Sequence, residues 1–194
     1  MPQWRNSSHT YGAVSLLLHW LAALMVLVML GLGWGREFAP GEWKPIMVDL
    51  HKSTGMAVLI LMVFRLFWRF YTKPPFLPED MPFKFRLAAR ITHGLLYFFL
   101  FALPVSGWLM ISAMGREPSL YGLVSFPALM EKDRALVPLF RNFHSLTAYV
   151  LAGLVVVHVA AALAHHFIFK DRILSRMIPF LQRGVSSRSD RFRR

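Results

Sequence analysis

The chain contains four apolar segments, each long enough to cross a lipid bilayer as a helix: residues 14–34, 48–71, 89–113 and 142–169. A hydrocarbon core of about 30 Å requires roughly 20 helical residues, and a backbone inside it must satisfy its own hydrogen bonds. Apolar residues make up 56% of the 194 residues and charged residues only 16%, which is too apolar for an ordinary soluble domain. The pattern predicts an all-α fold, a transmembrane four-helix bundle.

The basic residues predict how the bundle is oriented. The net charge is +12, and most Lys and Arg lie in the N-terminal tail, between residues 65 and 90, and after residue 169. The two other connections carry nearly balanced charge, so the positive-inside rule places both termini in the cytoplasm and gives an up-down-up-down arrangement. This distribution fits a lipid bilayer as the partner, with no nucleic acid. Residues 1–180 are predicted to form one domain, followed by a disordered basic cytoplasmic tail over 181–194.

The chain has no cysteine and eight histidines. Disulfides, thiolate zinc sites, iron–sulfur clusters and covalent C-x-x-C-H haem attachment are therefore excluded. A metal would have to be bound through nitrogen or oxygen. Histidine is the obvious candidate, because an imidazole inside a membrane is costly and usually has a functional partner.

The positions of four histidines predict two pairs at two depths. His144 and His158 are close to four helical turns apart, so they share one face of the fourth helix at a separation of about 21 Å. In the alternating bundle, His51 lies at the depth of His144 and His19 near the depth of His158. Each pair can bind the iron of a planar macrocycle from both sides. Any single one of these histidines could instead form a hydrogen bond between helices.

Five segments then resemble a known family. SLLLHWLAALMV, MVDLHKSTGMAVLILMVFRLFWR, ITHGLLYFFLFALPVSGWLM, FHSLTAYVLAGLVVVHVAAALAHHFIFKD and RMIP are similar to the bacterial cytochrome b561 family of small di-haem membrane proteins. The resemblance covers roughly residues 10–180. It implies two non-covalent, bis-histidine haem b groups: an inner one bound by His19 and His158, and an outer one bound by His51 and His144.

The end of the chain looks particularly like family members that oxidise superoxide and reduce ubiquinone. The resemblance thus implies an oxidoreductase that takes electrons from periplasmic superoxide and delivers them to ubiquinone. The outer cations expected to attract an anion are Lys52, Lys132, Arg134 and Arg141. The alternative is a cytochrome b anchor subunit that links a dehydrogenase or hydrogenase, as redox partner protein, to the quinone pool. A histidine-lined metal transporter is a third possibility, weakened by the lack of carboxylates at mid-membrane depth.

His165 is the candidate catalytic residue at the quinone. It follows His158 by seven residues, so it lies close to the same helix face and about 10 Å nearer the cytoplasm. There it can hydrogen-bond or protonate a quinone; capping of the helix end is the alternative. His166 points elsewhere and is expected at the membrane interface. His93 is expected to be a packed, satisfied histidine.

Overall fold

The computed structural model describes residues 3–76 and 81–178 and confirms the four-helix bundle. Its long helices are α1 (Ala13–Phe38), α2 (Trp43–Tyr71), α3 (Phe83–Ala113) and α4 (Val137–Phe167). All four are long and apolar enough to cross a membrane. A short helix, α5 (Ile173–Met177), follows α4. The predicted tail over 181–194 lies outside the described residues.

The helices extend past the apolar segments at several ends. α3 begins at Phe83 rather than near residue 89, and α4 begins at Val137 rather than near 142. Pro82 precedes α3 and Pro138 lies in the first turn of α4, where a missing N–H has no cost. Helix α3 continues through Pro104.

The helices pack as a chain of neighbours in which α1 contacts α2, α2 contacts α3, and α3 contacts α4. The central buried cluster joins α1 to α2 through Ala22, Val58 and Met62, with Tyr97 and Phe101 of α3 packed against it. Helices α1 and α4 both lie within the described residues, and their backbones do not pack closely together. The two helices that carry His19 and His158 therefore meet through side chains, which include the stacked rings of Trp34 and Tyr149.

Many large apolar side chains of the four helices point outward and are exposed. Leu24 and Leu27 on α1, Phe67 on α2, Phe98 on α3 and Val156 on α4 are among them. An exposed apolar surface of this extent would be unstable in water, whereas lipid tails cover it at no cost. The bundle is therefore built to face lipid on its outside.

The connection between α3 and α4 forms a structured cover over one end of the bundle. Its strands β1 (Ser119–Leu120) and β2 (Val124–Ser125) pair antiparallel. Tyr121 and Gly122 both have positive φ, of 51° and 73°. Leu123 N–H donates to the Leu120 carbonyl at 2.9 Å, which closes a tight turn of the kind that positive φ values favour in hairpins.

Hydrogen bonds tie this connection to α2 and α3. Ser53 donates to the Ser119 carbonyl at 3.1 Å, and the hydroxyls of Thr54 and Tyr121 lie 3.0 Å apart. On α3, the fully buried Ser112 hydroxyl accepts from Leu129 N–H at 3.0 Å. The connection between α3 and α4 is thus held against the bundle.

Replacing Ser112 with Ala is expected to loosen this cover. The change leaves the Leu129 N–H without its acceptor, a loss of about 1–3 kcal/mol for a buried donor. Thermal unfolding in detergent and limited proteolysis between residues 114 and 136 measure the effect. The control is Ser8→Ala, which changes an exposed side chain outside this connection. Equal stability and equal cleavage of both variants would contradict the tethering.

Candidate functional site

Four histidines meet in two pairs near opposite ends of the bundle. The ring centres of His51 on α2 and His144 on α4 are 6.1 Å apart, with an angle of 70° between the ring planes. Those of His19 on α1 and His158 on α4 are 6.3 Å apart, at 64°. The structure thus brings together the same two pairs that helix depth predicts.

The distances match two imidazoles on opposite sides of one metal ion. A histidine nitrogen binds a first-row metal at about 2 Å, and the ring centre lies about 1 Å behind that nitrogen. Two axial histidines therefore have ring centres about 6 Å apart. Edge-to-face contacts between two rings without a metal also have ring centres about this far apart. The hydrogen bonds of each ring therefore have to show whether it can bind a metal ion.

His144 is held in the form that a metal ligand requires. Its Nδ1 lies 2.9 Å from the Ser106 hydroxyl, and that hydroxyl donates to the Leu103 carbonyl at 2.7 Å. The hydroxyl hydrogen is committed, so Nδ1–H of His144 donates to Ser106 and Nε2 keeps its lone pair. Gly107 lies against this ring: a Cβ there would be 3.3 Å from His144 Cε1.

His51 has a ring nitrogen to which no hydrogen bond is made. Its Nδ1 is buried and has no partner among the described residues. Gly33 on α1 borders the ring, and a Cβ at that position would be 3.3 Å from His51 Cε1. Both outer histidines therefore pack against a glycine of a neighbouring helix, which leaves the rings free of side-chain crowding.

His19 meets a positive charge. A terminal nitrogen of Arg65 lies 2.9 Å from His19 Nδ1, and because a guanidinium only donates, Nδ1 is the acceptor. A neutral His19 then carries its hydrogen on Nε2. Binding of a metal through Nε2 displaces that hydrogen, so Arg65 either faces an anionic ring or turns away. The inner pair fits an iron ion by distance, but not in the hydrogen-bonded form shown.

Cations and aromatic rings surround the inner pair. The His93 ring centre is 5.3 Å from that of His158, so His93 is a third imidazole at this level. Arg65 and Arg69 lie over the Tyr97 ring at 5.7 and 5.3 Å. Burial raises the pKa of Tyr11, just before α1, although the charges of Arg69, Arg176 and Arg65 oppose that shift. Tyr11 is therefore uncharged at neutral pH.

His165 lies beyond the inner pair, near the end of α4. Its Nδ1 is 2.5 Å from a carboxylate oxygen of Asp171. The ring also contacts Phe85 at the start of α3 and Phe169, with ring centres 6.5 and 5.3 Å away. The ring of neighbouring His166 contacts Phe167 instead, at 4.8 Å.

Several residues at these sites were missed by sequence reasoning. Arg65 and Ser106 contact the paired rings directly, and Arg36 lies close enough to both outer rings to interact with them electrostatically. Gly33 of α1 borders the His51 ring, whereas Gly55 of α2 lies against Met29. These contacts cross between helices, so spacing along one helix does not reveal them.

Fold and paired imidazoles together define a membrane-spanning cytochrome. The sequence profile described as prokaryotic cytochrome b561 matches residues 10–180, and the chain belongs to that family. Members of this family bind haem b and transfer electrons in the membrane. Four membrane-spanning helices and this membership make the chain an inner-membrane protein with oxidoreductase chemistry.

Three relatives match nearly the whole chain. Cytochrome b561 homolog 2 of Escherichia coli (strain K12) is 37% identical over 176 residues, covering 89% of this chain and 93% of that protein. Probable superoxide oxidase CybB of Yersinia pestis is 31% identical over 170 residues, covering 87% and 96%. Cytochrome b561 homolog 1 of Escherichia coli (strain K12) is 29% identical over 172 residues, covering 87% and 97%.

A larger residue at Gly107 is expected to weaken haem binding. In Gly107→Val the added carbons press on the His144 ring, and overpacking of this kind costs about 1–3 kcal/mol. The haem-to-protein ratio, from the visible spectrum of the purified protein, should fall. Gly153→Val is the control, since a Cβ at exposed Gly153 meets nothing within 4 Å. Unchanged haem content in Gly107→Val would contradict the role given to this glycine.

Proposed function

We propose that this protein is a di-haem b cytochrome that oxidises superoxide outside the inner membrane and reduces ubiquinone on the cytoplasmic side. The observation that carries the proposal is the pairing of His51 with His144 and of His19 with His158, at 6.1 and 6.3 Å between ring centres. Two sites of one-electron chemistry at two depths suit a reaction whose donor and acceptor lie on different sides of the membrane. The resemblance to probable superoxide oxidase CybB supports the choice of donor.

His51 and His144 would bind the outer haem, and His19 and His158 the inner one. Bound haem supplies one-electron redox chemistry at each level. In the balanced reaction two superoxide anions become two molecules of dioxygen, while one ubiquinone takes up two electrons and two protons to become ubiquinol. The protein's own tasks are to attract the anion, to bind the quinone and to supply protons.

The proposed orientation places both termini and α5 in the cytoplasm. Of the described residues, the ends of α2, α3, α4 and α5 on that side carry Arg69, Lys84, Arg86, Lys170 and Arg176, as the positive-inside rule requires. The connection between α3 and α4 then faces the periplasm, next to His51 and His144. Superoxide approaches from there.

Arg36 is an exposed cation on the side from which the anion would arrive. Among the outer cations named from the sequence, Lys52 forms an ion pair with Asp49 at 2.9 Å, and the Lys132 side chain lies against Gly115. Arg36 is exposed at the last turn of α1, one turn beyond Gly33, which borders the His51 ring. An unpaired charge at the mouth of a site raises the encounter rate of an oppositely charged substrate.

At the cytoplasmic side His165 would hydrogen-bond the quinone and transfer a proton to it. The residue has one nitrogen engaged by Asp171 and one left for a ligand. Positioned general acids accelerate proton transfer by roughly 10²–10⁴-fold. The aromatic rings of Phe85 and Phe169 beside it offer an apolar wall that suits a quinone ring.

The experiment is to add superoxide to the purified chain in the presence of a soluble ubiquinone. We expect sharp haem b bands that become reduced, consumption of superoxide, and formation of one ubiquinol for every two superoxide anions. Activity that appears only when a dehydrogenase or hydrogenase is bound at the 114–140 connection would favour an anchor subunit instead. A colourless protein that moves metal ions would favour a transporter.

Replacing one axial histidine at a time separates the two haems. His144→Ala is expected to remove the outer haem and leave the inner one, whereas His158→Ala, on the same helix, should do the reverse. Haem content and redox titration of the visible bands measure both. Retention of both haems in His144→Ala, or loss of both in each variant, would contradict the pairing.

Neutralising Arg36 is expected to slow the reaction with superoxide. Arg36→Gln should lower the rate by several-fold at low ionic strength, up to about tenfold, and flatten its dependence on salt. Lys44→Gln removes one exposed charge from the same side of the membrane and serves as control. Equal losses in the two variants would show that overall charge, rather than Arg36, attracts the anion.

A further inference from the structure

We propose that Asp171 is the positioning residue that holds His165 in the tautomer needed for proton transfer to ubiquinone. This inference rests on the function proposed above, in which His165 contacts the quinone. It assigns a role to a carboxylate outside the haem-binding helices. Asp171 would not contact the quinone itself and would act only through the imidazole.

The Asp171 carboxylate is shared between two partners. One oxygen lies 2.5 Å from His165 Nδ1, and the other accepts Ile173 N–H at 3.0 Å. A carboxylate only accepts, so Nδ1 of His165 carries the hydrogen in this contact. Nε2 is then the nitrogen left for a ligand. The side chains of His165 and Asp171 are 17% and 28% exposed, so water screens the contact only in part.

The chain folds back sharply after α4 to make this contact. Lys170 adopts a φ of 54°, a left-handed conformation that residues with a side chain rarely take. Asp171 N–H donates to the His165 carbonyl at 3.1 Å, which fixes the reversal. Helix α5 follows at once and is tied to α1, because Trp20 donates to the Met177 carbonyl at 2.9 Å.

The charges around Asp171 indicate that its carboxylate serves His165. Every other carboxylate among the described residues lies toward the opposite end of the bundle, on or between the ends of α1, α2, α3 and α4 that face the proposed periplasm. Asp171 is followed by Arg172 and preceded by Lys170. Its ion-pair partner in the structure is nevertheless His165. A carboxylate that served only to balance charge would be expected to pair with one of the adjacent cations.

The contact explains how one imidazole can give up a proton without forming an unstable anion. With Asp171 at Nδ1, the doubly protonated ring has Nδ1–H on the carboxylate and Nε2–H toward the quinone oxygen. When the reduced quinone takes the Nε2 proton, the ring becomes neutral and keeps its hydrogen on Nδ1. Water from the cytoplasm then reprotonates Nε2. An Asp–His pair orients a catalytic imidazole in this way in other enzymes.

Asp171→Asn tests this idea, because the amide keeps the bond to Ile173 and changes only the partner of His165. The amide oxygen can still accept Ile173 N–H, while its NH₂ donates to His165 Nδ1. The neutral ring then carries its hydrogen on Nε2, where it can hydrogen-bond the quinone but has no favourable way to release the proton. We expect kcat for ubiquinone reduction to fall about tenfold or more, with KM for ubiquinone little changed.

Three further variants distinguish positioning from folding. Asp171→Glu keeps a carboxylate and should recover part of the lost kcat. In a His165→Ala background, Asp171→Asn should have no further effect, because the residue on which it acts is gone. Trp20→Phe removes the bond to Met177 and leaves the pair intact, so it reports the effect of loosening α5. Normal kcat in Asp171→Asn, or an equal loss with and without His165, would overturn the proposal.

The tautomer itself can be measured without turnover. In protein labelled with ¹⁵N-histidine, the His165 signals, assigned by their absence in His165→Ala, should report hydrogen on Nδ1 in the unaltered protein and on Nε2 in Asp171→Asn. Hydrogen on Nε2 in both would overturn the positioning role whatever the quinone kinetics. If the tautomers are as expected but the unaltered protein reduces no ubiquinone, the proposed function fails and the Asp171 contact stands.

Discussion

The structure depends on how a lipid-embedded bundle accommodates polar rings. An imidazole at membrane depth has two nitrogens that need partners, and here the rings meet each other across helices or meet a hydroxyl, a guanidinium or a carboxylate. His144 has Ser106, His19 has Arg65 and His165 has Asp171. The placement of α4 follows from this requirement, since His144 and His158 face histidines on α2 and α1, and His144 also bonds to a hydroxyl on α3.

The large features of the fold were predictable because they follow from periodicity and hydropathy. Apolar length fixes the four spans, and a separation of four turns fixes the common face of His144 and His158. Helix ends were predicted less well, because Lys84, Arg86 and Arg141 interrupt the apolar runs in the first turns of α3 and α4. Apart from the two histidine pairs, contacts between helices were not predicted. Nothing in the local sequence indicates that Gly33 borders His51 or that Arg65 reaches His19 across the α1–α2 interface.

The two histidine pairs differ in their electrostatic surroundings. The outer ring of His144 donates a hydrogen bond to a neutral hydroxyl, which makes an imidazole a stronger donor to a metal. The inner ring of His19 accepts from the Arg65 guanidinium, a contact that iron binding through Nε2 would break or turn into one with an anionic ring.

The covering connection between α3 and α4 is joined to the bundle through backbone carbonyls, hydroxyls and one buried N–H, whereas the central cluster of the bundle is apolar. Such polar contacts weaken when water competes for them, and apolar packing weakens under different conditions. The connection and the bundle are therefore expected to unfold at different temperatures or denaturant concentrations. Moderate heating or denaturant would release the connection between α3 and α4 while the histidine pairs stay in place. Access of a small anion to the outer pair would then change before any bound haem is lost.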